Sequence, residues 1–89
     1  EELRNYIMTL REFVMNFLDS TTVVNIYVRE YSDIDTPVRL EYGDTVDLLL
    51  NHVRFINLLS GKVEYVAPSF HKIQPMIDIH ISMESDSDV

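Results

Sequence analysis

Residues 43–61 read GDTVDLLLNHVRFINLLSG, and the way this stretch folds decides how the rest of the chain must be arranged. Val46, Leu49, Leu50, Val53 and Ile56 recur at helical spacing and form one apolar stripe. Leu48, Phe55 and Leu59 add an apolar wing, which leaves Asp47, Asn51 and Arg54 as the solvated positions. Asp44 stands where an N-cap belongs, and Asp47 places a second carboxylate in the first turn, where the helix dipole favours it. Ser60 and Gly61 supply the stop, since glycine can take the left-handed conformation that closes a helix. The expectation is one continuous central helix. It is too apolar to be covered from one side, so a sheet must lie against it and something else must cover the wing.

On either side of that helix the hydrophobic period changes to two. Val24, Ile26 and Val28 alternate with Asn25, Tyr27 and Arg29, as in a half-buried strand. Residues 32–36 are turn material, and Pro37 can open a second strand in which Val38, Leu40 and Tyr42 alternate with Arg39 and Glu41. The two strands form a hairpin across which Arg29 and Glu41 are candidates to pair. Downstream, residues 62–67 (KVEYVA) read as a third strand and residues 68–72 as a loop. Ile77, Ile79 and Ile81 alternate with Asp78, His80 and Ser82 in a fourth strand, which Pro75 can precede but not interrupt.

Residues 1–19 read as a first helix, with Leu3, Ile7, Leu10, Val14 and Phe17 in the alternating four-and-three rhythm of a coiled-coil seam. That seam either lies on the chain's own sheet or is the end of a longer coiled coil that enters a small head and makes a dimer. Residues 84–89 are polar and acidic and are expected to be disordered. Residues 1–83 are thus expected to form one small α+β domain. An amphipathic helix comes first, then a hairpin, the central helix and two further strands, giving one sheet packed on that helix.

The chain has 89 residues, a net charge of −8, no cysteine and two glycines. That length allows a single core. The negative charge, with no local basic patch, argues against nucleic acid and anionic membranes as partners. Without cysteine there is no thiol chemistry, and an intracellular setting, cytoplasmic or nuclear, is expected. No apolar run is long enough to span a membrane. The first residues, Glu1 and Glu2, carry no signal-peptide pattern, and the chain is taken as a piece of a longer protein.

Catalytic constellations are lacking. His52, His71 and His80 show no metal-ligand spacing, and His52 is expected to be a partly buried side chain with one hydrogen bond, His80 a surface residue. Asp33 and Asp35 suit a turn but lack the further ligands of a calcium loop. Ser69 and His71 have no oxyanion glycines beside them. Both glycines are accounted for as helix boundaries, so nothing cradles a phosphate. No enzyme, metal or cofactor is expected.

The residues VRLEYGDTVDLL at 38–49 resemble the strand-to-helix junction of ubiquitin-like β-grasp domains. That resemblance implies a hairpin feeding a helix, two further strands completing a mixed sheet, and a recognition module rather than a catalyst. In architecture alone, a coiled-coil end running into an α+β head is similar to kinetochore-type heads. Met76, Ile77, Asp78 and Ile79 with the acidic serines Ser85 and Ser87 resemble a SUMO-interacting motif, though the same isoleucines are needed for the core. Ser87, Asp88 and Val89 resemble a C-terminal PDZ ligand if Val89 is the natural end.

The expected function is a non-catalytic protein–protein interaction or oligomerisation domain of scaffold type, acting on a protein partner or on itself as a homodimer or hetero-oligomer. The expected interface is Leu3, Ile7, Leu10, Val14 and Phe17 with Leu48, Phe55 and Leu59. The alternatives are a monomeric ubiquitin-like module and, third, a regulatory fragment of an enzyme.

Overall fold

The alternating segments come together as a single four-stranded sheet. The structure, a computed structural model, describes residues 8–30 and 37–83. Its elements run α1 (Leu10–Phe17), β1 (Val23–Glu30), β2 (Arg39–Thr45), α2 (Val46–Asn51), two 3-10 turns (Val53–Phe55 and Leu58–Ser60), β3 (Lys62–His71) and β4 (Gln74–Met83). In space the strands are ordered β2-β1-β4-β3. β1 is antiparallel to β2 and parallel to β4, and β3 closes the far edge antiparallel to β4. The fold is α+β, a mixed sheet with its helices on one face.

Val24, Ile26 and Val28 of β1 stand in register with Ile77, Ile79 and Ile81 of β4. With Leu10, Val14, Val46, Leu49 and Leu59 they fill the core between sheet and helices. Each fully buried side chain of this kind contributes about 1.5–3 kcal/mol. Tyr42 closes the β2 side: its hydroxyl donates to the Thr45 carbonyl at 2.6 Å, and its ring meets Phe55 edge-on at 4.7 Å. Burial, and then the negative charge of Asp44, push the Tyr42 pKa up to about 12 from its ordinary 10.0. The unfolded chain ionises first, so what this hydroxyl adds to stability is fully present below pH 10.0 and is lost as pH rises through about 12.

The first helix is shorter than its periodicity suggests. Thr9 has extended backbone angles (φ −79°, ψ 163°) and caps α1, which therefore begins at Leu10. The Glu12 N–H donates to Thr9 Oγ1 at 3.2 Å and the Thr9 N–H to Glu12 Oε1 at 3.0 Å, a reciprocal capping box. The Leu10 N–H donates to the Gly61 carbonyl and the Val63 N–H to the Met8 carbonyl, which pins the start of α1 to the start of β3.

The central stretch departs most from expectation. Instead of one helix, α2 ends at Asn51, and two 3-10 turns carry the chain on to β3. The N-cap is Thr45, whose Oγ1 accepts from the Leu48 N–H at 3.3 Å, while Asp44 Oδ1 accepts from the neighbouring Thr45 N–H. Gly61 has φ −64° and takes no left-handed turn. What it supplies is closeness: a Cβ there would meet Ile81 Cδ1 at 2.6 Å and Met83 Sδ at 2.8 Å.

The strands also differ in extent and partners. β3 runs on through the expected loop to His71, because Pro68 lies on an edge strand where a missing N–H is tolerated. Pro75 lies inside β4, before the pairing with β1 begins at Ile77. Arg29 does not pair with Glu41. A bulge at Glu64 turns that carboxylate toward Arg29 (3.1 Å), while Glu41 bonds Arg39 (2.9 Å).

The hairpin joining β3 to β4 turns at Lys72 and Ile73, and Lys72 adopts φ 58°, a conformation costly for a residue with a Cβ. Lys72→Gly is expected to stabilise the domain by about 0.5–1 kcal/mol. The urea unfolding midpoint should rise with an unchanged slope; a fall would show that Lys72 contributes more through its side chain than it loses in strain.

Leu3, Ile7, the turn aspartates Asp33 and Asp35, and the acidic tail with Ser85, Ser87, Asp88 and Val89 lie outside the described residues.

Candidate functional site

The break after Asn51 has a chemical consequence. Val46 and Leu49, the first part of the apolar stripe, are buried in the core. Beyond the break the stripe turns outward, leaving Val53 79% and Ile56 55% exposed. Two such residues on a short, otherwise irregular crossover form an apolar knob that no described segment covers.

Beside this knob lies α1, and between them runs a cleft of about 170 Å³ lined by Arg11, Leu50, His52, Val53, Ile56 and Leu59. Leu59, buried, and Leu50, half-buried, form its floor. Met15 follows Arg11 by one helical turn on the same side of α1 and is also exposed. The cleft is below the roughly 300–1,000 Å³ usual for a small-molecule pocket. One or two side chains of a partner fit it better than a cofactor does.

The polar groups around the cleft are unevenly engaged. Glu12 is taken up by the α1 cap, and Asp47 Oδ1 accepts from Asn51 Nδ2 at 2.8 Å. Arg11 and Arg54 have no carboxylate partner among the described residues, and the Arg54 guanidinium lies over the Phe55 ring at 5.4 Å. His52 is exposed, not half-buried as expected, and meets Phe55 edge-on at 5.7 Å. Of the two arginines, Arg11 lines the cleft, while Arg54 is held over Phe55 outside its lining.

Most residues read from the sequence as interface lie elsewhere. Leu10 and Val14 are 0% exposed, so these two fill the chain's own core and offer nothing to a partner, while Leu59, also buried, lines the floor of the cleft. The reason is that α1 packs on the second 3-10 turn and β3. Phe55 is half-buried against Tyr42. Phe17, at 63%, and Leu48 remain on the surface. Val53 and Ile56 were missed because helical spacing assigned them to the core.

The opposite face of the sheet bears no described helix. Across it Leu40, Tyr27, His80 and Tyr65 form one transverse row in register over all four strands. His80 stacks on Tyr27 at 4.8 Å and meets Tyr65 edge-on at 5.4 Å, which half-buries a histidine expected on the surface. Asn25 donates to Asp78 Oδ1 at 2.9 Å beside that row. A second cleft, about 290 Å³, opens where β4 runs past the start of β1; Thr21, Thr22, Gln74, Pro75 and Met76 line it, without an ionisable group.

Among the described residues no cluster of His, Asp and Glu is placed to hold a metal ion, and no helix is long and apolar enough to cross a membrane. No family model, curated protein or solved structure matches the chain.

Proposed function

We propose that this chain is a non-catalytic interaction domain of a larger intracellular protein, and that it docks another protein through the cleft between α1 and the broken crossover. The outward turn of Val53 and Ile56 carries this reading. Neither contributes to the core, and apolar side chains grouped around a concave floor are the usual anchor sites of protein interfaces. Self-association through the α1 seam loses its support, because Leu10 and Val14 are already buried.

A second reading, a ubiquitin-like recognition module, is supported by the mixed sheet with β1 and β4 parallel at its centre and by the aromatic row on the open face. Such a module would bind through Tyr65 and Leu40 rather than Ile56.

Photo-crosslinking separates the two. A photoreactive residue placed at Ile56 in the full-length parent protein is expected to give a discrete protein adduct in its own cells, while one at Tyr65 gives none. Adducts from Tyr65 alone would move the function to the sheet face and overturn the cleft.

A further inference from the structure

We infer that the hairpin joining β3 to β4 is an arm whose tip inserts into the surface of an uncharged lipid bilayer. The inference is independent of the cleft and stands or falls separately from it. β1 pairs with β4 only from Val24 and Ile77 onward, and β3 is the outer strand of the sheet. Residues 69–71 and 74–76 therefore run past the four-stranded body as a two-stranded ribbon, which turns at Lys72 and Ile73. Phe70 pairs with Pro75 on the face that carries the core farther back, yet it is 71% exposed there. Ile73, at the turn, is 93% exposed. The apex is built at the expense of the fold. Lys72 holds φ 58° where a glycine would be unstrained, and an isoleucine beside it stands almost wholly in solvent.

Charge is distributed to match. The chain carries 15 acidic residues, yet none of them lies between Tyr65 and Ile77. The flanking carboxylates are held in the body of the sheet: Glu64 lies 3.1 Å from Arg29 of β1, and Asp78 Oδ1 accepts from Asn25 of β1 at 2.9 Å. No carboxylate of the arm has to leave water as the tip sinks. Lys72 can lay its methylene stem along the apolar boundary and keep its ammonium among the headgroups. An anionic bilayer repels a chain of net charge −8, so the surface that fits is a neutral, zwitterionic one. A protein pocket fits less well. A stable protein interface buries about 800 Å² on each partner, more than the end of a two-stranded ribbon offers. A bilayer sets no such minimum, because each apolar side chain partitions on its own.

The test uses the 89-residue chain and vesicles of phosphatidylcholine alone. The chain has no tryptophan, so Ile73→Trp reports from the tip, and Leu48→Trp, at an exposed position of α2, is the control. Ile73→Trp fluorescence is expected to shift to the blue on vesicles and to be quenched by lipids brominated in the acyl chain. Leu48→Trp should do neither. Two side chains bury less than a myristoyl chain, so half-binding of the unaltered chain in a flotation assay is expected at about 1 mM lipid. Phe70→Ser and Ile73→Ser should each weaken flotation about tenfold. Because both positions are exposed, the thermal unfolding of these variants should be little changed.

No flotation of the unaltered chain at about 10 mM lipid would overturn the inference. So would binding that both serine variants retain, or quenching of Leu48→Trp as strong as that of Ile73→Trp. Binding that requires added phosphatidylserine would place the contact on basic residues instead of the apolar tip, and the inference falls. It falls equally if a photoreactive residue at Ile73 of the full-length parent protein gives a discrete protein adduct in cells, since the tip then enters a protein pocket. None of these results bears on the cleft at Ile56.

Discussion

Leu10→Asp is expected to unfold the domain, whereas Phe17→Asp leaves it folded. The two residues lie on the same heptad rhythm, seven apart, and a coiled-coil seam would treat them alike. The structure does not: Leu10 is 0% exposed in the core and Phe17 is 63% exposed at the end of α1. Replacing Leu10 forfeits about 1.5–3 kcal/mol of burial. It also places a carboxylate in the core, at a further cost of several kcal/mol. A domain of this size has about 5–10 kcal/mol of stability in all. Phe17 loses little beyond its ring contact with Phe13 at 5.5 Å, so its replacement should cost about 1 kcal/mol. Circular dichroism with thermal unfolding of both variants decides the point. A folded Leu10→Asp, or a Phe17→Asp that unfolds, would show that α1 is not held as described.

The second large effect is expected at Gly61. Its backbone angles suit any residue, so the loss on Gly61→Ala comes from crowding alone. The new Cβ would lie 2.6 Å from Ile81 Cδ1, and Ile81 is itself fully buried and hemmed in. Overpacking of this kind costs about 1–3 kcal/mol. The origin can be checked because Ile81→Val removes the offending methyl at a cost of its own of about 1 kcal/mol. The double variant should therefore be more stable than the sum of the two losses allows, by about 1 kcal/mol. Strict additivity would mean that Gly61 does not approach Ile81 in this way.

The strands were legible because period-two alternation leaves little freedom. Val24, Ile26 and Val28 can all be buried only as a strand with that face inward, and the same holds for Ile79 and Ile81, with Ile77 partly buried beside them. Extent was harder to read, since Pro68 and Pro75 look like breakers until it is known that one lies on an edge strand and the other before the β1 pairing begins. The start of α1 was written in the sequence as Thr9 followed three residues later by Glu12, a signal overshadowed by the longer seam rhythm.

The candidate site was the least legible part, for a tertiary reason. Residues 46–59 satisfy a helical stripe throughout, and nothing local marks His52 as the end of the helix. The crossover has to pass from the β2 edge to the β3 edge, and breaking it lets Phe55 reach Tyr42 while Leu59 reaches the core. Val53 and Ile56 are turned outward as a result. Spacing alone also cannot tell a seam that fills its own core from one that waits for a partner, which is why Leu10 and Val14 were assigned to an interface.

The solution mass of the 89-residue chain by light scattering over a wide concentration range tests most directly whether the domain completes its own core and reserves its cleft for a different protein. A constant 10.4 kDa is predicted. A concentration-dependent dimer that Phe17→Asp dissociates, with the strands still folded, would contradict it and return α1 to an oligomerisation seam.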